Sequence, residues 1–282
     1  MIRLGTSSWQ FEGWQGVFYP ETLPKDQQLI YYSKQFDTVE VNTSFYGLPR
    51  PSTLVKWVES TPLGFQFCLK APRAITHDKR LNNVQEESRL FLEVLRSLGT
   101  SAAPAFLQFP PTFTRQTDGK ALALYIDWLA GQLNGIRMGV EVRSADLLTP
   151  AFATFLADRG FCLVLIDRVD TADLFDSWLS LIDQKKAPQF VIIRWIGDDR
   201  NGPQGDSELV APRDAQLEQW AKRLIQLEER GIEVFGYMHN PYEGHSPASI
   251  RRLRSLLVPN ITLPTWPPPG EESDQLVQPS LL

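Results

Sequence analysis

Eight short β-type runs recur along the chain, each followed by a stretch of helical periodicity. This alternation constrains the fold more than any other feature. The strand candidates are Arg3–Ser8, Thr38–Asn42, Gln66–Lys70, Ala105–Gln108, Met138–Val142, Cys162–Asp167, Phe190–Trp195 and Glu233–Met238. Helical patterns follow over Asp26–Phe36, Ser52–Ser60, Val84–Leu98, Lys120–Leu133, Pro150–Asp158, Ala172–Asp183, Asp214–Glu229 and Ser246–Leu256. A repeat of roughly 30 residues suits a βα unit. Runs such as Phe161-Cys162-Leu163-Val164-Leu165-Ile166 are apolar throughout, as a parallel strand covered on both faces requires. Eight such units predict a single (β/α)8 barrel of the TIM type, α/β in class, with no sheet edge left open. An open doubly wound sheet would carry a glycine-rich turn after its first strand, and Thr6-Ser7-Ser8-Trp9 is not one.

The barrel is expected over residues 1–262. From Leu263 the chain turns proline-rich and then acidic, which predicts an extended C-terminal tail over 263–282. At 282 residues, 43% hydrophobic and 22% charged, the chain is sufficient for one barrel with a packed core. It has no apolar run approaching the roughly 18–20 residues of a membrane helix. No leader pattern is read at its start, so a cytoplasmic location and no membrane partner are expected. A net charge of -5 argues against an extended nucleic-acid or anionic-lipid footprint. Cys68 and Cys162 lie in apolar runs and read as buried thiols. With only His77, His239 and His245 beside them, they cannot build a cysteine-rich zinc site. The polar loop Asp198–Asp206 lacks EF-hand spacing. No metal and no cofactor is expected.

In this fold the C-terminal strand ends carry the chemistry. Those ends hold Glu40, Asn42, Lys70, Gln108, Glu141, Arg143, Asp167, Arg194, His239 and Asn240. Glu40 and Asn42 are two residues apart and share a strand face, as do Glu141 and Arg143. If those faces point inward, the mouth suits a small polar or anionic ligand, because guanidinium forks match carboxylate and phosphate. Glu40 and Glu141 are then the acid/base candidates, and Lys70 and His239 the other catalytic ones. A desolvated Lys70 can form a Schiff base. Glu141 with Arg143, or Glu40 with Lys70, can equally be a structural ion-pair network. His77, in the loop after the third strand, is a ligand-binding candidate, either as a base or as a plain hydrogen-bonding residue. Trp9, Trp14, Phe45 and Tyr46 cluster in the first two βα loops, where they either stack on a ligand or cap the core.

Several segments together resemble the YecE-like family of domains of unknown function. They are Gly5-Thr6-Ser7-Ser8-Trp9, Phe18-Tyr19-Pro20, Phe36-Asp37-Thr38-Val39-Glu40-Val41-Asn42-Thr43-Ser44-Phe45-Tyr46-Gly47-Leu48-Pro49, Ile75-Thr76-His77, Leu107-Gln108-Phe109-Pro110-Pro111 and Glu141-Val142-Arg143. The resemblance implies a TIM barrel with no established activity. Many members carry Arg-x-His-Gly in the seventh strand, where this chain has Arg194-Trp195-Ile196-Gly197. Many have paired asparagines after the eighth, where this chain has His239-Asn240-Pro241. A distant likeness to endonuclease-IV-like barrels implies multinuclear metal chemistry, for which three histidines are too few.

Two functions remain open on the sequence. One is an enzyme acting on a small polar or anionic ligand, phosphorylated or sugar-like, at the barrel mouth. The other is a non-catalytic or nucleic-acid-associated replication and repair accessory protein. Its recruitment would run through the tail, where Gln278, Leu281 and Leu282 look like a sliding-clamp docking peptide.

Overall fold

Parallel ladders set the register of every strand pair. The computed structural model describes residues 1–268. Its strands are β1 (Ile2–Thr6), β2 (Thr38–Val41), β3 (Gln66–Leu69), β4 (Ala105–Gln108), β5 (Met138–Glu141), β6 (Cys162–Leu163), β7 (Leu165–Arg168), β8 (Phe190–Gly197) and β9 (Glu233–Met238). The helices are α1 (Gln28–Ser33), α2 (Pro51–Glu59), α3 (Gln85–Leu98), α4 (Arg115–Ala130), α5 (Pro150–Ala157), α6 (Phe175–Asp183), α7 (Asp214–Glu229) and α8 (Ser246–Leu257). Ladders join β1–β9–β8–β7, β2–β3 and β4–β5–β6. Single bridges connect these blocks: Ser7 with Glu40, Phe67 with Ala102, and Lys70 with Phe106. β6 and β7 are halves of one strand broken at Val164. The first half pairs with β5 and the second with β8. Eight strand positions thus close into the expected TIM-type barrel.

The helices cover it by amphipathic stripes. On α7, Leu217, Trp220, Ala221, Leu224 and Leu227 are buried at helical spacing, and on α3 so are Phe91, Leu92, Leu95 and Leu98.

The seam between β1 and β2 is closed by a side chain. Thr6 N and Thr6 Oγ1 each donate to the Tyr32 hydroxyl at 2.9 Å, and that hydroxyl donates to Thr38 O at 3.1 Å. The phenol stands where a ladder rung would be. Gly5 permits the approach, since a Cβ there would lie 2.0 Å from Thr38 O. Tyr32→Phe keeps the ring but strands a buried amide and carbonyl. It is expected to cost about 1–3 kcal/mol in a urea titration; an unchanged midpoint would refute this role.

Several boundaries differ from the periodicity, and for three the contacts responsible are clear. α4 begins at Arg115 rather than Lys120 because Thr114 accepts from Thr117 N, and Asp118 accepts from Thr114 N at 3.0 Å. α6 begins at Phe175 rather than Ala172, where Asp173 accepts from Phe175 N at 3.0 Å. The packed chain also continues past residue 262. Leu263 and Trp266 lie against the core, and Trp266 Nε1 donates to Ser33 O at 2.7 Å. Gln278, Leu281 and Leu282 lie outside the described residues. No helix among the described residues is long and apolar enough to cross a membrane.

Candidate functional site

Strand alternation brings Glu40, Lys70, Glu141, Arg194 and His239 to one end of the barrel, where they interact. Arg194, 2% exposed, lies at the centre. Its Nε donates to Glu40 Oε2 at 2.7 Å and its Nη2 to Glu40 Oε1 at 2.8 Å. Its Nη1 donates to Glu141 Oε2. The guanidinium carbon stands 4.8 Å from the Phe106 ring centroid. Arg143 holds the other edge of Glu141, donating from Nε to Oε1 at 2.9 Å, and reaches Asp199 Oδ2 from Nη1 at 3.3 Å. Arg168 completes the chain, with Nη2 2.7 Å from Asp199 Oδ1. Asn42 Nδ2 donates to Glu40 Oε1 at 2.9 Å.

Electrostatics follow from this packing. Burial raises the proton affinity of both glutamates, but the arginines outweigh it. Glu141 is held down at about 2 by Arg194 and Arg143. Glu40 is driven well below the usual carboxylate range, chiefly by Arg194. Arg194 is desolvated, yet the two carboxylates hold its proton more tightly than usual. Glu40 and Glu141 are therefore ionised and occupied, the geometry of an ion-pair network. His239 Nε2 is 3.6 Å from Glu40 Oε1, too far for a hydrogen bond. That nitrogen is buried without a partner, and burial pushes the imidazole toward its neutral form.

Lys70 differs from its neighbours. Its backbone is fixed, because Ser44 Oγ lies 2.7 Å from Lys70 O and 2.8 Å from Val41 O. That hydroxyl draws the turn Thr43–Phe45 onto the end of β3, which sets the Phe45 ring under the amine, with Nζ 4.0 Å from the centroid. Among the described residues Lys70 makes no ion pair. Burial, followed by the repulsion of Arg194, pushes its amine down to about 8. His77 meets the Phe45 ring edge-on at 4.8 Å and contacts Thr76 Oγ1 through Nδ1 at 2.8 Å. Burial and then Lys70 push His77 down to about 4, so it is neutral at physiological pH.

The remaining sequence candidates make no side-chain hydrogen bond or ion pair to this group among the described residues. Asp167 is not turned to the mouth: its Oδ2 accepts from Trp220 Nε1 at 2.7 Å and from the Tyr242 hydroxyl at 2.8 Å. It sits one residue past Ile166, on the other strand face, and so faces the helix layer. Asn240 serves α8, its Oδ1 accepting from Ser246 N at 3.0 Å and Ser246 Oγ at 2.7 Å. Gln108 Nε2 donates to Phe109 O at 2.6 Å. Trp9 is buried edge-on against Trp57 at 5.5 Å, whereas Tyr46 is 81% exposed.

A cleft of about 240 Å³ between α4 and α5 is lined mainly by apolar side chains such as Leu122, Leu147, Phe152 and Phe155. Asp146 on its rim is committed to the backbone of Arg115 and Gln116. The titratable groups converge at the mouth instead. Among the described residues no three His, Cys, Asp or Glu side chains group as a metal site.

Residues 3–272 match the family model described as protein of unknown function DUF72. The chain is 32% identical over 269 residues to the UPF0759 protein YecE of Escherichia coli O157:H7, covering 90% of this chain and 91% of that one. It belongs to the DUF72 family. Against the UPF0759 protein YunF of Bacillus subtilis it is 25% identical over 277 residues, covering 91% of this chain and 95% of that one. A solved DUF72 protein from Thermotoga maritima superposes with a TM-score of 0.75 at 22% identity, over 92% of this chain and 99% of that one. An AP endonuclease, family 2, from Brucella melitensis gives 0.55 at 11% identity, over 90% and 98%. These likenesses show the TIM-type fold.

In this DUF72 chain the mouth also uses residues outside the sequence expectation. Asp199 bridges Arg143 and Arg168 from the polar loop, a role no local pattern announces. Phe106 is two residues before Gln108, so strand alternation alone places it on the same face.

Proposed function

We propose that this protein is an enzyme that binds a small organic anion at the barrel mouth, with Lys70 as the group that meets it. The supporting observation is the charge pairing around Arg194. Glu40, Glu141 and Asp199 face Arg143, Arg168, Arg194 and Lys70, and every member but Lys70 has an ion-pair partner among the described residues. A partly desolvated ammonium ion with no carboxylate of its own favours an incoming anion. Arg143 is half-buried and engages carboxylates only through Nε and Nη1, which leaves Nη2 for the same ligand. Glu40 and Glu141 then act by fixing Arg194 and the strand ends, rather than by exchanging protons.

Phosphate, sulfate and glyoxylate serve as probes, read by calorimetry at low ionic strength. Binding is expected below pH 8 and to fade as Lys70 deprotonates above it. Lys70→Met should weaken it at least about tenfold, the size of one charge-assisted hydrogen bond. Equal affinity in Lys70→Met, or no binding of any probe, would refute the proposal.

A further inference from the structure

Resting on that anion-binding reading, we infer that Lys70 forms an imine with a carbonyl-bearing anion, either a short 2-oxo acid or a phosphorylated aldehyde or ketone. Three features of the site carry it. The amine is held by its backbone at a strand end and by the Phe45 face beneath it, so its attack direction is fixed. It lacks a carboxylate partner that would keep it protonated. The charges it senses include Arg194 and Arg143, both of which oppose protonation, and burial acts in the same direction. Glu40 and Glu141 pull the other way but are already neutralised by Arg194. At neutral pH the fraction of free amine exceeds that of an ordinary lysine by on the order of a hundredfold.

The chemistry closes without a co-reactant. The Nζ lone pair adds to the carbonyl carbon while the C=O π pair moves to oxygen and takes up the proton released from nitrogen. The carbinolamine then expels water as the nitrogen lone pair forms the C=N bond. Amine and carbonyl become imine and water, and nothing is oxidised or reduced. Arg143 Nη2 supplies the cation for the carboxylate or phosphate of the same molecule. Neutral His77, edge-on to Phe45, adds no competing charge.

The test is borohydride trapping on the intact wild-type protein with pyruvate, glyoxylate or glyceraldehyde 3-phosphate, followed by peptide mass mapping. Surface lysines such as Lys25, Lys56 and Lys222 are the internal control. The expected result is a reduced adduct at Lys70 formed at least about tenfold faster than at those lysines. Its rate should climb toward pH 8, and inorganic phosphate should suppress it. Lys70→Arg should lose the site-specific adduct and still bind phosphate. The oxo-acid and phosphorylated arms separate the two carbonyl classes. Adducts spread evenly over the lysines, or absent, would overturn the imine; phosphate binding would in that case leave the anion reading standing. If phosphate and the other anions also fail to bind, both readings fall together.

Discussion

Arg194→Met is expected to lower the unfolding free energy by about 3–5 kcal/mol at neutral pH, the usual penalty for removing one partner of a buried ion pair. Glu40 and Glu141 are both 0% exposed and share this guanidinium. Without it, two buried carboxylates lose their main compensation. The pH dependence distinguishes this from a packing defect. In the wild type both glutamates have depressed values. Their contribution is complete above the unfolded value of 4.5 and is lost as pH falls toward about 2. In the variant, burial acts unopposed by Arg194 and raises both carboxyls, so acidification relieves it. Urea titrations at pH 7 and pH 4 should therefore show the gap between variant and wild type narrowing. A constant gap, or a loss under about 1 kcal/mol, contradicts the network reading. Replacing all three charges together, as Arg194→Met with Glu40→Gln and Glu141→Gln, should recover much of the loss.

Trp14→Ala should cost about 3–5 kcal/mol, the range for deleting a large aromatic from a packed core. The indole is 0% exposed and touches Phe11 at 4.9 Å, Phe18 at 5.3 Å, Tyr19 at 6.0 Å and His245 at 6.1 Å between ring centroids. It thereby ties the first βα loop to the start of α8, next to His245. The control lies in the second loop: Tyr46→Ala, at a position 81% exposed, should stay within about 0.5 kcal/mol of wild type. Melting curves of the two variants decide the matter. If Trp14→Ala proves as mild as Tyr46→Ala, the first loop does not cap the core.

The barrel was legible because its signal is periodic and redundant. A strand such as Phe190–Gly197 is buried on both faces and apolar but for Arg194, and α7 shows its stripe over its whole length. Boundaries were less legible where a single side chain decides them, as Thr114 does for α4 and Asp173 for α6. At the mouth, two-residue alternation brought Glu40 with Asn42 and Glu141 with Arg143. It could not tell which charges would be consumed by one another. That depends on Arg194 reaching Glu40 across 154 residues of chain and Glu141 across 53. The same limit applies to Asp167: its strand is broken after Leu163, and a register shift follows Asp167 itself. Alternation counted from the sequence alone therefore does not give its orientation.

The β1–β2 seam bears on how the chain assembles. β1 shares its full ladder, Ile2 to Thr6, with Val234 to Met238 of β9. Toward its neighbour in sequence it has the Tyr32 hydroxyl, a donation from Leu4 N to Asp37 Oδ1 at 3.3 Å, and the Ser7–Glu40 bridge just past its end. The earliest of the described strands is thus among the last of them to gain a full ladder partner, since more than two hundred residues separate it from β9. An early intermediate built from the N-terminal units would carry β1 as a loose end, and ring closure would arrive with β9 in a single late step.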